Sequence, residues 1–125
     1  MNASFTWNKA VEQALRNATK KTHLAVGIPE DEEYPKGKKV SEVAMILEFG
    51  TEKIAPRAFL RGTVDERKGK WIEDTGRRLK KVARGKGGSA RTVMKVLGAE
   101  VKADIQERTP VKTGKLRDSF TVKVD

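Results

Sequence analysis

"VSEVAMILEFGTEKIAPRAFLRGT", residues 40–63, changes character three times. It opens with apolar residues at helical spacing, Val43, Ala44, Ile46 and Leu47 falling on one side. Gly50 is placed to stop that helix, as a residue free to take positive φ. Pro56 fixes φ and removes a donor, so the chain between is expected to run as an extended loop. Phe59 and Leu60 then stand between Arg57 and Arg61. The pattern predicts a short helix over 40–49 with Ser41 as its cap, a loop, and a second helix starting near Thr63 or Asp65. Such a loop buries an apolar anchor while its guanidinium groups meet carboxylates on this chain or a neighbour. Phe49, Arg57, Phe59, Leu60 and Arg61 are therefore candidates for a subunit contact. Phe49, Phe59 and Leu60 suit equally well the sealing of a core beneath the loop.

Working outward, residues 6–20 read as an amphipathic helix, with Trp7, Val11, Ala14, Leu15 and Ala18 on one side. His23 to Ile28 reads as a short strand stopped by Pro29, with His23 an ordinary polar residue at its edge. Residues 29–39 form a charged loop, expected to be mobile. The helix after Asp65 is expected to reach Val82 or Ala83. Trp71, Ile72, Thr75, Leu79, Val82 and Ala83 lie on one side of it. Lys70, Arg77, Arg78, Lys81 and Arg84 lie largely opposite, as a basic patch facing DNA or a partner. Gly69 and Gly76 weaken this helix by about 1 kcal/mol each against alanine, so packing must hold it. Residues 84–88 are a glycine-rich break, also expected to be mobile. Ser89 caps a further helix to about Arg108, ended by Thr109-Pro110. Phe120 to Val124 alternates as a strand. The expected fold class is α+β, a small antiparallel or mixed sheet packed with two long helices and one or two short ones. No internal repeat or second domain is visible, so residues 1–125 are read as one domain.

Composition excludes much. With 125 residues the chain holds a core without staples, and with no cysteine it has neither disulfides nor thiolate metal sites. One histidine, His23, makes no His-rich metal site and no conventional triad. No stretch approaches the roughly 20 apolar residues of a membrane span. The opening residues lack the basic region and apolar core of a signal peptide, so synthesis and use in a cytoplasm are expected. The net charge is +10, and residues 66–95 alone hold eleven basic and three acidic residues, a net +8. That block suits a polyanion or an acidic protein surface, or simply a solvated helix face.

The chemistry-bearing motifs dissolve on inspection. Thr113-Gly114-Lys115 is like the end of a phosphate-binding loop, but the first glycine is replaced by Thr109 and the metal-binding hydroxyl by Leu116. Glu30 to Glu33 lacks the spacing that wraps oxygens around calcium. Glu48, Glu73, Asp74, Glu100 and Asp104 fall on predicted helices without a defensible acid–base pairing. No cofactor, no metal and no catalytic residue is assigned. A nucleic-acid role would rest on phosphates, because the basic helix has no Asn or Gln interleaved to read base edges.

The segment 41–66 resembles phage neck and tail-completion proteins of the HK97 gp10-like type. The resemblance is carried by Val43-Ala44, by Glu48-Phe49-Gly50-Thr51, and by Ile54, Pro56-Arg57 and Phe59-Leu60-Arg61. A second element, "TPVKTGKLRDSF", is similar to another stretch of the same proteins at Thr109-Pro110-Val111, Thr113-Gly114, Leu116-Arg117 and Ser119. Arg117 thereby joins the subunit-contact candidates. The resemblance implies a bacteriophage structural protein of the neck or tail end, with no reaction catalysed. Its partners would be copies of itself in a ring, expected as a hexamer, and other neck and tail proteins. Genomic DNA would thread the channel with weak contacts of no sequence specificity. Its place would be the virion, and the host cytoplasm during assembly. The alternative is a small basic, non-specific DNA-binding accessory protein. A small nuclease ranks behind both, for want of a catalytic cluster.

Overall fold

The computed structural model describes residues 22–86, 88–111 and 114–125. The helix expected over 6–20 lies outside the described residues. The elements run β1 (Leu24–Gly27), α1 (Val40–Phe49), α2 (Phe59–Ala83), α3 (Ala90–Arg108), α4 (Lys115–Asp118) and β2 (Thr121–Val124). This is the expected α+β class, with two long helices and a two-stranded antiparallel sheet. Among the described residues no helix is long and apolar enough to cross a membrane.

α2 and α3 form an antiparallel helical pair. Their cross-links show the direction: Glu66 with Arg108, Trp71 with Asp104, Arg78 with Glu100. Buried Trp71 keeps its indole satisfied by donating Nε1–H to Asp104 Oδ2 at 2.7 Å. The turn between the helices uses Gly85 and Gly88 at positive φ. Ser89 caps α3 as expected, its Oγ accepting from the Thr92 amide at 3.2 Å.

β1 and β2 are distant in sequence yet pair directly, Leu24 opposite Val124 and Val26 opposite Val122. Strand alternation turns these four toward α3, while Ala25, Thr121 and Lys123 are exposed. His23 is exposed at the sheet's edge and pairs its backbone with Asp125. The sheet comes close to α3 at Gly98, where a Cβ would stand 2.4 Å from Val122 Cγ1 and 2.8 Å from Leu24 Cδ1.

The core lies where α1, the start of α2, the end of α3 and α4 converge, with Val26 and Ile28 packed against it. It comprises Val40, Ala44, Phe59, Ile105, Leu116 and Phe120. Phe59 and Phe120 meet edge to face, with centroids 6.4 Å apart and planes at 80°. The loop ahead of α1 carries several ties. Tyr34 packs against the core, the Val40 amide donates to Glu32 O at 3.0 Å, and Lys115 Nζ pairs with Glu32 at 2.8 Å.

Two helix starts differ from expectation. α1 begins at Val40 without a side-chain cap, because Lys39 before it, extended and bridged to Glu33, carries no side-chain acceptor. Ser41 lies inside the helix. α2 begins at Phe59, four residues before Thr63. Thr63 does not cap; its Oγ–H donates back to Phe59 O at 2.6 Å within the helix.

Two glycines in helices should respond oppositely to alanine. Gly69 faces open space, so Gly69→Ala is expected to stabilise by up to about 1 kcal/mol. Gly98→Ala is expected to destabilise by about 1–3 kcal/mol, because stiff Val122 must move. Urea unfolding of both variants checks the pair of signs.

Candidate functional site

The start of α2 has no capping side chain of its own. The cap comes from α1. Glu48, 2 % exposed, points its carboxylate at the first turn of α2. Oε1 accepts from the Leu60 amide at 2.8 Å, and Oε2 from the Arg61 amide at 3.1 Å. Arg61 completes the arrangement: its Nε donates to Oε2 at 2.7 Å and its NH2 group to the Glu48 carbonyl at 2.8 Å. The anion therefore meets two orphan helix amides, the positive end of the helix dipole and a guanidinium together. Burial by itself pushes the Glu48 carboxyl up. The hydrogen bonds from Arg61 and from the Leu60 and Arg61 amides, with the Arg61 charge, outweigh burial and hold it below the ordinary glutamate value.

The loop between the helices is shaped by backbone. Gly50 sits at φ 74°, and a Cβ there would lie 2.6 Å from Ile54 O and 2.8 Å from Pro56 N. Thr51 closes a tight turn, its Oγ accepting from the Ile54 amide at 3.0 Å. The Arg57 amide donates to Leu47 O at 2.6 Å, and the Phe59 amide to Arg57 O at 2.7 Å. The second is a γ-type turn at Ala58, which delivers Phe59 into the core as the helix starts.

These bonds sort the candidate contact residues. Phe59 is core, and Leu60 packs against the core from a half-buried position. Arg61 is engaged within the chain, its guanidinium carbon 4.5 Å from the Phe49 ring centroid. What faces outward is Phe49, 55 % exposed, with Met45, 60 % exposed; Ile54 and Arg57, on the loop that follows, are exposed as well. Behind Met45 and Phe49 runs a groove lined by Val26, Ile28, Leu60 and Phe120.

The Thr109–Ser119 element is a helix stop followed by a single helical turn. Thr109 Oγ–H donates to Ile105 O at 2.7 Å at the end of α3. Gly114, at φ 80°, starts α4, which delivers Leu116 to the core. Ser119 Oγ–H closes the turn on Lys115 O at 2.6 Å. Arg117 is half-exposed; its Nε meets neighbouring Asp118 at 3.1 Å and its carbonyl accepts from Gln106.

Residues 73–125 match the HK97-gp10-like family model. Its description reads "Bacteriophage HK97-gp10, putative tail-component". The match runs from the middle of α2 to the end of the chain, so it includes the Thr109–Ser119 element and leaves Glu48 to Arg61 outside. That part of the chain is similar to a phage tail structural component. No curated protein and no solved structure matches the chain significantly.

The basic patch is divided. Lys70, Lys81 and Arg84 are exposed, and no carboxylate among the described residues lies within ion-pair distance of them. Arg77 is exposed but pairs with Asp74 at 2.5 Å. Arg78 turns inward, its NH1 group 3.6 Å from Glu100 of α3. It belongs to the helix pair and not to the outer face. Glu48 is the residue that sequence reasoning passed over. Its signal was present: a glutamate before a helix-ending glycine, an arginine two residues after the next proline-led turn's phenylalanine, and no capping residue between them.

Glu48 makes stability depend on pH. Its folded-state pKa lies below the unfolded value of about 4.3, so the stabilisation is complete above that value and is lost as pH falls through the folded pKa. Wild type is expected to exceed Glu48→Gln in stability by about 1–3 kcal/mol at pH 7. The gap should narrow steadily below about pH 4. Denaturant titrations of both chains from pH 7 to pH 3 measure it; a gap independent of pH would refute the ionised cap.

Proposed function

We propose that the chain is a structural subunit of a phage particle, working at the neck or tail end. Copies of it close into a ring around the DNA path, six being the expected number, and join or seal the components on either side. The observation that carries this reading is the match of residues 73–125 to a phage tail-component family. The geometry supports a role played by surfaces. Glu48 and Arg61 fix the base of an exposed apolar patch, Met45 and Phe49, and Ile54 and Arg57 are exposed on the loop that follows. Such a patch suits contact with a second protein surface. A head-to-tail contact between copies, if it closes, gives a ring. The virion is the place of action, with assembly in the host cytoplasm.

A second reading rests on Lys70, Lys81 and Arg84, exposed cations on one face of α2. It makes the chain a basic accessory protein that binds duplex DNA without reading its sequence. Within the ring reading the same face contacts DNA only weakly, because DNA passes through and is not gripped.

Two variants and one binding curve test the choice. Met45→Asp should melt as wild type yet fail to assemble in sedimentation and to enter particles. Phe59→Ala should lose about 3–5 kcal/mol of stability, as a core residue does. Duplex affinity of the isolated subunit should be on the order of 10⁻⁴ to 10⁻⁶ M near physiological salt. Normal assembly of Met45→Asp would sink the contact surface. Tight, steeply salt-dependent binding would favour the second reading.

A further inference from the structure

β1 belongs to a sheet of two strands, so one of its edges has no partner strand. The register says which backbone groups that leaves. His23 exchanges both backbone bonds with Asp125, at 3.0 and 2.9 Å. By alternation Ala25 and Gly27 turn their N–H and C=O groups to Lys123 and Thr121, and Leu24 and Val26 turn theirs away from β2. No group among the described residues hydrogen-bonds these outward N–H and C=O groups. A row of free donors and acceptors on an edge strand is a template for a further strand. Proline, charge or a bulge commonly guards such an edge, and Leu24–Gly27 has none of them. β1 also borders the groove behind Met45 and Phe49, which Val26 and Ile28 line together with Leu60 and buried Phe120.

Taking the chain as the phage structural subunit described above, we propose that an extended segment of a different protein of the particle adds to this edge. It pairs with Leu24 and Val26 and turns alternate apolar side chains into the groove. Backbone chemistry chooses the class of occupant. An extended polypeptide supplies C=O and N–H groups in alternation at the strand's own spacing, and its period of two sends every second side chain to one face. The groove, lined by Val26, Ile28, Leu60 and Phe120, chooses apolar side chains for that face. A neighbouring copy fits less well. Its β2 is already paired with β1, and on the outer edge of β2 the Val124 carbonyl accepts from Arg91 at 3.0 Å. Its exposed loop 51–58 is tied into a turn by Thr51 and interrupted by Pro56, which has no N–H to give. Pairing β1 with a second β1 is isologous and closes at two copies, against the head-to-tail contact that a ring needs.

Amide exchange with residue resolution, on the free subunit, on the self-assembled subunit and on purified particles, tests this. The Leu24 and Val26 amides should exchange freely in the first two and more slowly in particles, by about tenfold or more. Protection in the free subunit would assign the edge to the chain itself, and protection on self-assembly would assign it to a second copy. Either result overturns the proposal, as do particles in which both amides stay unprotected. Particles that lack the chain altogether remove the structural-subunit reading as well, so the two failures are told apart. Val26→Pro compared with Val26→Ala gives an independent reading. Both lose the valine's packing, but only proline loses the outward N–H, at a position that does not bond to β2. With both variants folded by circular dichroism, Val26→Ala should enter particles and Val26→Pro should not. Equal incorporation overturns the proposal, and the exchange measurement decides alone if the proline variant does not fold.

Discussion

The carboxylate of Glu48 stands at the point where α1, the loop after it and α2 must agree. It is buried, and it is charged, so it is tolerated only if its lone pairs are met. Two helix amides and a guanidinium meet them. In return α2 can start at Phe59, and Phe59 enters the core against Phe120. Remove the anion and the first turn of α2 has no cap, Arg61 has no partner over Phe49, and the core loses the register that places its central ring. The rest of the packing around Val40, Ile105 and Leu116 presupposes that register.

This constraint explains the order of residue types in the stretch 48–61. Within it Phe59 fills the core and Arg61 pairs with Glu48. Gly50 admits a backbone approach that no side chain allows, Pro56 packs into that approach, and Arg61 returns to the glutamate two residues before the glycine. The outward surface is instead made by residues that do not take part in the clamp, Met45 and Ile54, and by the open face of Phe49. A protein that works by contact gains from this division, since a rigid platform loses less entropy when it docks.

Much of the architecture was legible in the sequence because it rests on local signals. Periodicity gave α1 its bounds, Ser89 and Thr109-Pro110 bounded α3, and alternation gave the last strand. The start of α2 was not legible, because its cap sits on another helix, and capping rules look only along the chain. Arg78 was misplaced on the outer face for a related reason. A helical wheel ranks residues by polarity, but a guanidinium at the margin of a helix pair reaches the partner's carboxylate, here Glu100. The pairing of β1 with β2 was likewise beyond local reasoning, since nothing near Leu24 announces a partner at Val124. For the candidate site, the sequence left two roles open for these residues; the structure puts Phe59 in the core, and Arg61, its side chain half-exposed, pairs with Glu48 of the same chain.

The account turns on the claim that Glu48 and Arg61 act as one unit. A double-mutant cycle measures this directly, with Glu48→Ala, Arg61→Ala and the double variant unfolded in denaturant at pH 7. If the two side chains form the clamp, the double variant loses less than the sum of the single losses, by about 1–3 kcal/mol. Losses that add to within about 0.5 kcal/mol would show that Arg61 does not hold the glutamate, and would return it to the set of free surface cations.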